Sequence, residues 1–417
     1  MSAPASRAPG ATTAVVILTA MNLLNYLDRF VPSAVKDLFK ADLGLTDAET
    51  AWPLTAFVVV YMIASPIFGS LADKAPRKVL IAAGVALWSL ATAAAALATG
   101  FWSLLLARSL VGVGEAAYAT LAPPLLSDFF PPERRNRVLT IFYVAIPVGA
   151  AAGFVLGGLV GQAFGWRAAF LVAGLPGLLA ALACLRIQDP GRGAFDGPAA
   201  QSAPPPGWGA ALRALLRNPL YLTAVAGYTA VTWASGGMAD WFPTFLVRTH
   251  GYAVGEAGSL VGTLTVVGGL GGTAIGGWLG DRLRGRTRQP YLALSALSMV
   301  PAAVFAGLAM VAPKGWPVAA CMLLAQFFLW FYNGPINTIL ANSTDAGLRA
   351  RAFAFSIFAI HIFGDAISPT IIGALSDRVG LGTAVALIPA FLALGALIWA
   401  VGWRTVPEAP APGAQPA

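Results

Sequence analysis

The sequence predicts an all-α membrane protein with twelve transmembrane helices in two six-helix, pseudo-symmetric halves. Three observations carry this prediction. The 417 residues are 58% hydrophobic and only 11% charged, with mean hydropathy +0.73, whereas a soluble domain carries about 25% charged residues. Apolar stretches long enough to cross a bilayer, which takes about 20 residues, recur along the whole chain. A single Pro/Gly/Ala-rich break divides them six and six.

The spans fall near 13–35, 52–71, 79–99, 102–127, 138–162, 167–186, 219–246, 256–280, 290–312, 316–342, 352–376 and 382–403. The leading MSAPASRAPG is short and polar, and the apolar run behind it is long enough to span, so no cleavable signal is expected. Before the second span, Thr46-Asp47-Ala48-Glu49 fits a capping box. After the sixth, GRGAFDGPAAQSAPPPG reads as a flexible linker. Trp208, Leu212 and Leu215 follow at i, i+4 and i+7 with Arg213 and Arg217 off that face, a short amphipathic helix expected on the inner leaflet. The organisation is therefore a half at 1–186, a cytoplasmic linker at 187–218, a half at 219–404 and a disordered Ala/Pro-rich tail at 405–417.

The net charge of +8 is a topology signal. With the N-terminus inside, 18 of the 26 basic residues fall in cytoplasmic segments and six in outer ones. The positive-inside rule then puts both termini in the cytoplasm, for a multi-pass protein of a bacterial inner membrane. No nucleic-acid partner is expected. Cys184 and Cys321 lie within spans, so neither a disulfide nor a metal site is expected. Gly112-Val113-Gly114-Glu115 lacks the third glycine and the strand context of a dinucleotide site, and no nucleotide-binding lysine loop occurs. An enzyme, a cofactor and direct ATP drive are not expected.

The halves echo each other. Gly69-Ser70-Leu71-Ala72-Asp73-Lys74 with Arg77 and Lys78 follows the second span, and Gly277-Trp278-Leu279-Gly280-Asp281-Arg282 with Arg284 and Arg286 follows the eighth. Repeats of this kind imply a central cavity and rocking of one half against the other. Gly149, Gly153, Gly157 and Gly161, and again Gly268, Gly272 and Gly276, stand at four-residue spacing. Such stripes suit either a sliding surface or static close packing.

GSLADKAPRK (69–78) resembles the signature loop of the major facilitator superfamily. NLLNYLDR (22–29), ARSLVGVGEAAYATLAP (107–123), IFYVAIPVGAAAGF (141–154) and HIFGDAISPTIIGALSDR (361–378) resemble the Spinster branch of it, over residues 21 to about 380. Asn-Tyr-Leu-Asp-Arg alone is also shared with organic-anion symporters; the Val-Gly-Val-Gly-Glu-Ala and Phe-Gly-Asp-Ala-x-Ser-Pro runs are more specific. The resemblance implies the major facilitator fold and a proton-coupled secondary transporter. It would move an amphiphilic lipid-like substrate, such as a lysophospholipid or sphingoid phosphate, by alternating access. Its partners would be that substrate, protons and membrane lipids, with the chain acting as a monomer. Competing readings are a sugar-acid or monocarboxylate symporter, a drug exporter, a passive scramblase and a transport-inactive receptor.

Six charges remain inside the spans: Asp28, Arg29, Arg108, Glu115, Asp240 and Asp365. Ions in hydrocarbon cost several kcal/mol unless paired or wetted, and are retained for function. Arg108 and Glu115 are two turns apart on one face, about 10 Å along the axis. A third group could bridge them, and Asp28 is the candidate; the resemblance places all three along one cavity. Asp28 and Glu115 would accept protons while Arg108 changes partner, or else a fixed ion pair aligns spans 1 and 4. The resemblance implies that Arg29 faces the cavity and meets an anionic head group, for which its fork is suited; the alternative is snorkelling or a cross-helix pair. His361 is a candidate cavity residue that can change charge near neutral pH, with Asp365 one turn on to orient it. The alternative for His361 is a neutral interhelical hydrogen bond. Gly236-Gly237 with Pro243, and Asn333-Gly334-Pro335, are candidate hinges, with Asn333 and Asn337 as substrate contacts and Tyr118 and Tyr332 nearby. By analogy with the superfamily, Asp73, Arg77, Lys78 and Asp281 gate on the inner side, the alternative being topology and helix capping; Asp365 is a further gating candidate within its span.

Overall fold

In hydrocarbon a chain must satisfy its backbone hydrogen bonds within each segment, so long apolar runs become helices. The computed structural model describes residues 7–72, 74–191, 194, 208–283, 286–342 and 346–406, and among them all regular structure is helical. The order is α1 Ala11–Ala34, α2 Lys36–Leu43, α3 Asp47–Leu71, α4 Arg77–Ala95, α5 Phe101–Asp128, α6 Pro132–Phe164, α7 Trp166–Cys184, α8 Trp208–Leu216 and α9 Pro219–His250. There follow α10 Val254–Arg282, α11 Pro290–Val311, α12 Trp316–Leu329, α13 Asn333–Asn342, α14 Ala346–Ile360, α15 Ser368–Val379, α16 Leu381–Ala384 and α17 Leu387–Thr405. Among the described residues, eleven stretches are long and apolar enough to cross a membrane. The 32-residue α9 takes the place of the seventh span, and its Tyr, Thr, Ser, Gly and Trp content keeps it less apolar than the rest. The chain is an integral, multi-pass membrane protein.

Three spans are broken, the last of them by a short turn at 385–386 between α16 and α17, and one expected to break is not. A three-residue 3₁₀ turn, Trp330–Tyr332, separates α12 from α13, just before the expected hinge at Asn333. A π-turn, His361–Asp365, separates α14 from α15, with Gly364 at the non-helical φ −109°, ψ −107°. That break was not foreseen. Conversely, α9 runs as an unbroken helix through Gly236-Gly237 and Pro243, where a hinge is expected from the sequence. Gly236 serves close packing instead, since a Cβ on it would lie 2.5 Å from the Asp365 Cβ.

Contacts group the chain into two compact units. The first comprises residues 1–202, 239–266 and 369–381, and the second 203–238, 267–368 and 382–417. In the first, the glycine stripe of α6 lies on α1: a Cβ at Gly149 or Gly153 would come within 2.5 Å of the Leu23 carbonyl or 2.4 Å of the Leu27 carbonyl. Val31, Val35, Phe39, Leu104, Trp166 and Phe170 form an apolar core beside it. The capping box at α3 forms, with Thr46 Oγ1 accepting from Glu49 N–H at 3.1 Å and Glu49 accepting from Thr46 N–H at 2.8 Å. Asp377 adds a second cap, accepting from the N–H groups of Asp47 at 2.8 Å and Ala48 at 3.0 Å.

In the second unit the stripe of α10 packs on α12 and the 3₁₀ turn, where a Cβ at Gly272 would meet the Phe327 carbonyl at 2.2 Å. The α8 helix forms where expected. Ala211 and Leu215 are buried, whereas Trp208 and Leu212 are exposed, with the Trp208 ring edge-on to Phe355. The tail from 407 and most of the linker expected after 187 lie outside the described residues.

Candidate functional site

A polar stripe runs down one side of α1 into α2: Asn22, Asn25, Arg29, Ser33 and Lys36 recur at spacings of three and four. Asn22 Nδ2 donates to the Phe142 carbonyl of α6 at 2.9 Å. Asp28, about 100° around the helix from Arg29, turns towards α4 and α5. Its Oδ1 accepts from Arg108 Nη1 at 3.0 Å, and Thr92 Oγ1 donates to its Oδ2. Arg29 reaches α5 as well, two turns further along it, where its Nη2 donates to Glu115 Oε2 at 2.5 Å. The Arg29 guanidinium also lies over the rings of Tyr26, Phe57 and Tyr61 at 4.7, 5.0 and 5.7 Å.

Asp28 therefore does not bridge Arg108 and Glu115. The angular step between residues 28 and 29 splits the four charges into two pairs, and Arg108 and Glu115 stay apart on their shared face. Asp28, Arg108 and Glu115 are 1%, 2% and 0% exposed. Glu115 Oε1 and Arg29 Nε are buried without a hydrogen-bond partner in the protein. Charges this deep are held by their partners, because removing one partner of a buried pair leaves the other uncompensated.

A third buried pair joins the end of this stripe to α9. Lys36, counted from the sequence as an outer-loop charge, is 1% exposed and paired with Asp240. Ser33 Oγ donates to the other Asp240 oxygen at 3.0 Å, and the Lys36 ammonium sits 3.8 Å from the centre of the Trp241 ring. Burial pushes the Lys36 pKa down from the ordinary lysine value, against the pull of the Asp240 carboxylate. A cavity of about 20 Å³ is lined by Arg29, Ser33, Lys36, Arg108 and Asp240 among others, room for roughly one water. Beyond it, Arg248 reaches Asp37 at 2.5 Å and Asp47 at 2.8 Å, and Asp47 also accepts from Lys40 and Ser376. Nearby, hydrogen bonds from Arg167 and Trp166 hold the exposed Asp42 carboxyl below its ordinary pKa.

The other candidates are placed as follows. Tyr118 is buried against Trp88 and Phe142 and donates its hydroxyl to the Leu18 carbonyl at 2.6 Å, so in this conformation it has no hydroxyl to offer a substrate. In the second unit, His361 Nδ1 lies 2.8 Å from Asp365 Oδ1 in the π-turn, as the one-turn spacing led us to expect. Asn337 Nδ2 donates to the Asn333 carbonyl at 2.7 Å, beside the Tyr228–Tyr332 ring pair. Arg77 binds Asp128 at 2.5 Å and Asp189 at 2.6 Å, tying the start of α4 to the end of α5 and the chain after α7. Lys78 Nζ donates to the Leu185 carbonyl at 3.3 Å. Asp281 accepts from the Tyr291 hydroxyl at 3.3 Å. Asp73 lies outside the described residues. Among these residues, no group of three or more His, Cys, Asp or Glu could hold a metal.

Sequence reasoning missed Thr92, Lys36, the role of Asp240 and the rings around Arg29. The three-and-four spacing of polar residues from Asn22 to Lys36 was the available signal, because it extends a buried polar face past the end of the first apolar run.

The family model described as Major Facilitator Superfamily matches residues 18–364. Protein spinster homolog 1 of Mus musculus is 36% identical over 389 residues, 88% of this chain and 73% of that protein. The sphingosine-1-phosphate transporter SPNS2 of Danio rerio is 32% identical over 397 residues, 91% of this chain and 79% of that protein. The crystal structure of a bacterial homologue of the human lysosomal transporter Spinster, inward-facing and unoccupied, superposes with a TM-score of 0.84 at 22% identity, covering 97% of this chain and 99% of that one. The fold is thus that of the major facilitators, and the chain belongs to the Spinster family within that superfamily.

Proposed function

We propose that the protein is a proton-coupled secondary transporter of an amphiphilic, lipid-like substrate, working by alternating access between two six-span halves. It is a transporter and not an enzyme, acts as a monomer, and lies in a bacterial inner membrane with both termini cytoplasmic. The reading is supported by relatives that include proteins named as sphingosine-1-phosphate transporters. The observation that carries the proton coupling is the pair of buried ion pairs on α1 and α5, Asp28–Arg108 and Arg29–Glu115. Glu115 keeps one oxygen free of protein donors, where a proton can add. A proton there would release Arg29, whose fork would then be free for a phosphate or carboxylate head group. His361, Asn333 and Asn337 are proposed to contact the rest of the substrate, with Asp365 orienting His361 and acting with Asp73, Arg77, Lys78 and Asp281 in gating.

Proteoliposomes with an imposed pH gradient test this. Lysophospholipid or sphingoid-phosphate flux that follows the gradient, and loses that dependence in Asp28→Asn and Glu115→Gln, is the expected result. Gradient-driven flux of a sugar acid alone would replace the lipid substrate, and flux indifferent to any gradient would mean a scramblase.

A further inference from the structure

We propose that the Lys36–Asp240 pair is a proton-sensitive latch that holds the α1–α2 corner against α9 while Asp240 is ionised and lets go when Asp240 takes up a proton. This deepens the transport reading above and rests on it for its purpose, though its test does not.

The geometry has three parts. First, the pair is a latch by position. Lys36 is the first residue of α2 and Asp240 lies in the last third of α9, 204 residues away in sequence. Ser33 Oγ, from the last turn of α1, braces the same carboxylate. Trp241, next to Asp240, stands under the Lys36 ammonium and donates Nε1–H to the Pro369 carbonyl of α15 at 2.9 Å. One ion pair therefore organises the meeting of α1, α2, α9 and α15.

Second, the charge around the cavity is one-sided. Arg29, Lys36 and Arg108 line it against Asp240 alone; Glu115 and Asp28 hold the two arginines from the far side. Asp37, Asp47, Lys40, Arg248 and Asp377 form a neighbouring network, from which the Asp47 and Asp37 carboxylates also attract the Lys36 charge, behind Asp240. While Asp240 is ionised, its charge is what keeps Lys36 beside two guanidinium groups. A proton on Asp240 neutralises that charge, and Lys36 is left buried without its hydrogen-bonded counter-charge, since Glu115 and Asp28 are already committed to Arg29 and Arg108. Losing one partner of a buried pair is costly for the charge that remains.

Third, the proton has a route. The cavity has room for roughly one water, and its polar walls supply the partners such a water needs. The balance is simple: a hydronium ion gives its proton to the Asp240 carboxylate and is left as water, the Lys36 N–H loses a charged acceptor, and return of the proton to water restores the pair. The guanidinium groups donate hydrogen bonds but do not carry the proton onward, so coupling to Asp28 and Glu115 is electrostatic.

The test uses full-length protein in nanodiscs, in a background without Cys184 and Cys321, with spin labels at Ala41→Cys on α2 and Thr249→Cys at the end of α9. In the otherwise unchanged protein, the label-to-label distance distribution shifts to longer values as the pH is lowered. Asp240→Asn gives the long distribution at every pH, with the pH dependence lost. Lys36→Met with Asp240→Leu replaces the pair by apolar contact, a change buried pairs tolerate, and gives the short distribution at every pH; it also serves if the single variant does not fold. A distribution that ignores pH in the unchanged protein overturns the proposal. So does a pH response that persists in either variant, which would assign it to the Arg248 network. Gradient-independent transport in proteoliposomes would instead defeat the transport reading and leave the latch standing.

Discussion

Replacing Asp28 with Asn removes one charge and almost no volume, so its cost isolates the electrostatics of the site. Asp28 and Arg108 are 1% and 2% exposed and 3.0 Å apart, with Thr92 as the other donor to the carboxylate. Asn can keep one hydrogen bond to each neighbour, but Arg108 loses its counter-charge while still buried. Removing one partner of a buried pair costs about 3–5 kcal/mol. Arg108→Gln strands Asp28 by a similar amount. The double variant leaves two neutral amides able to pair, and replacement of a whole buried pair is often close to neutral. The double-mutant cycle should therefore show a coupling of at least about 3 kcal/mol, where independent sites would add within about 0.5. Reversible unfolding in mixed micelles, followed by helical circular dichroism, measures it. If water reached this pair freely, it would behave as an exposed one, worth about 0.2–1 kcal/mol. Single variants that lose less than about 1 kcal/mol, or a cycle that closes additively, would refute the claim that these charges are held out of water.

Three further outcomes follow from named contacts. Arg29→Lys keeps the charge but loses the two-pronged donor and the planar group that lies over Tyr26, Phe57 and Tyr61; affinity for an anionic amphiphile, measured by calorimetry, should fall about tenfold, near 1.4 kcal/mol, and unchanged affinity would place the head group elsewhere. Gly153→Val should cost about 1–3 kcal/mol as an overpacked contact, because its Cβ would sit 2.4 Å from the Leu27 carbonyl, whereas Gly307→Ala, with nothing within 4 Å, should not destabilise; the same unfolding assay compares them. Asp42 has its pKa lowered by Arg167 and Trp166, so the stability it contributes is present above the ordinary aspartate pKa of about 3.9 and lost as pH falls through its lower folded value. The Tm gap between the wild type and Arg167→Gln should close over that acidic window and stay constant above it.

Much of the architecture was legible because the physics that produces it is local. An apolar run of some twenty residues has one solution in a bilayer, and the Thr46–Glu49 cap is fixed by helical spacing alone, while His361 and Asp365 meet as expected, though within a π-turn. The glycine stripes announced close packing, but only the structure gave their partners, since a bare helix face fits any helix able to approach it. Where the helices break was less readable. Pro243 sits inside an unbroken α9, whereas the π-turn at Gly364 does break the helix, a few residues before Pro369, because neighbouring helices decide whether a freed backbone group can be satisfied.

By itself, the sequence determined that this chain spans a membrane many times, that it looks like a Spinster protein, and that Asp28, Arg29, Arg108 and Glu115 are charges a bilayer would not carry idly. Only the tertiary structure decided who pairs with whom: Asp28 with Arg108, Arg29 with Glu115, and Lys36, from what looked like a loop, with Asp240. Helical periodicity sets the direction in which a side chain leaves its own helix. Its counter-charge lies on another helix up to 204 residues away, and that meeting depends on how glycine stripes and aromatic rings let the helices close.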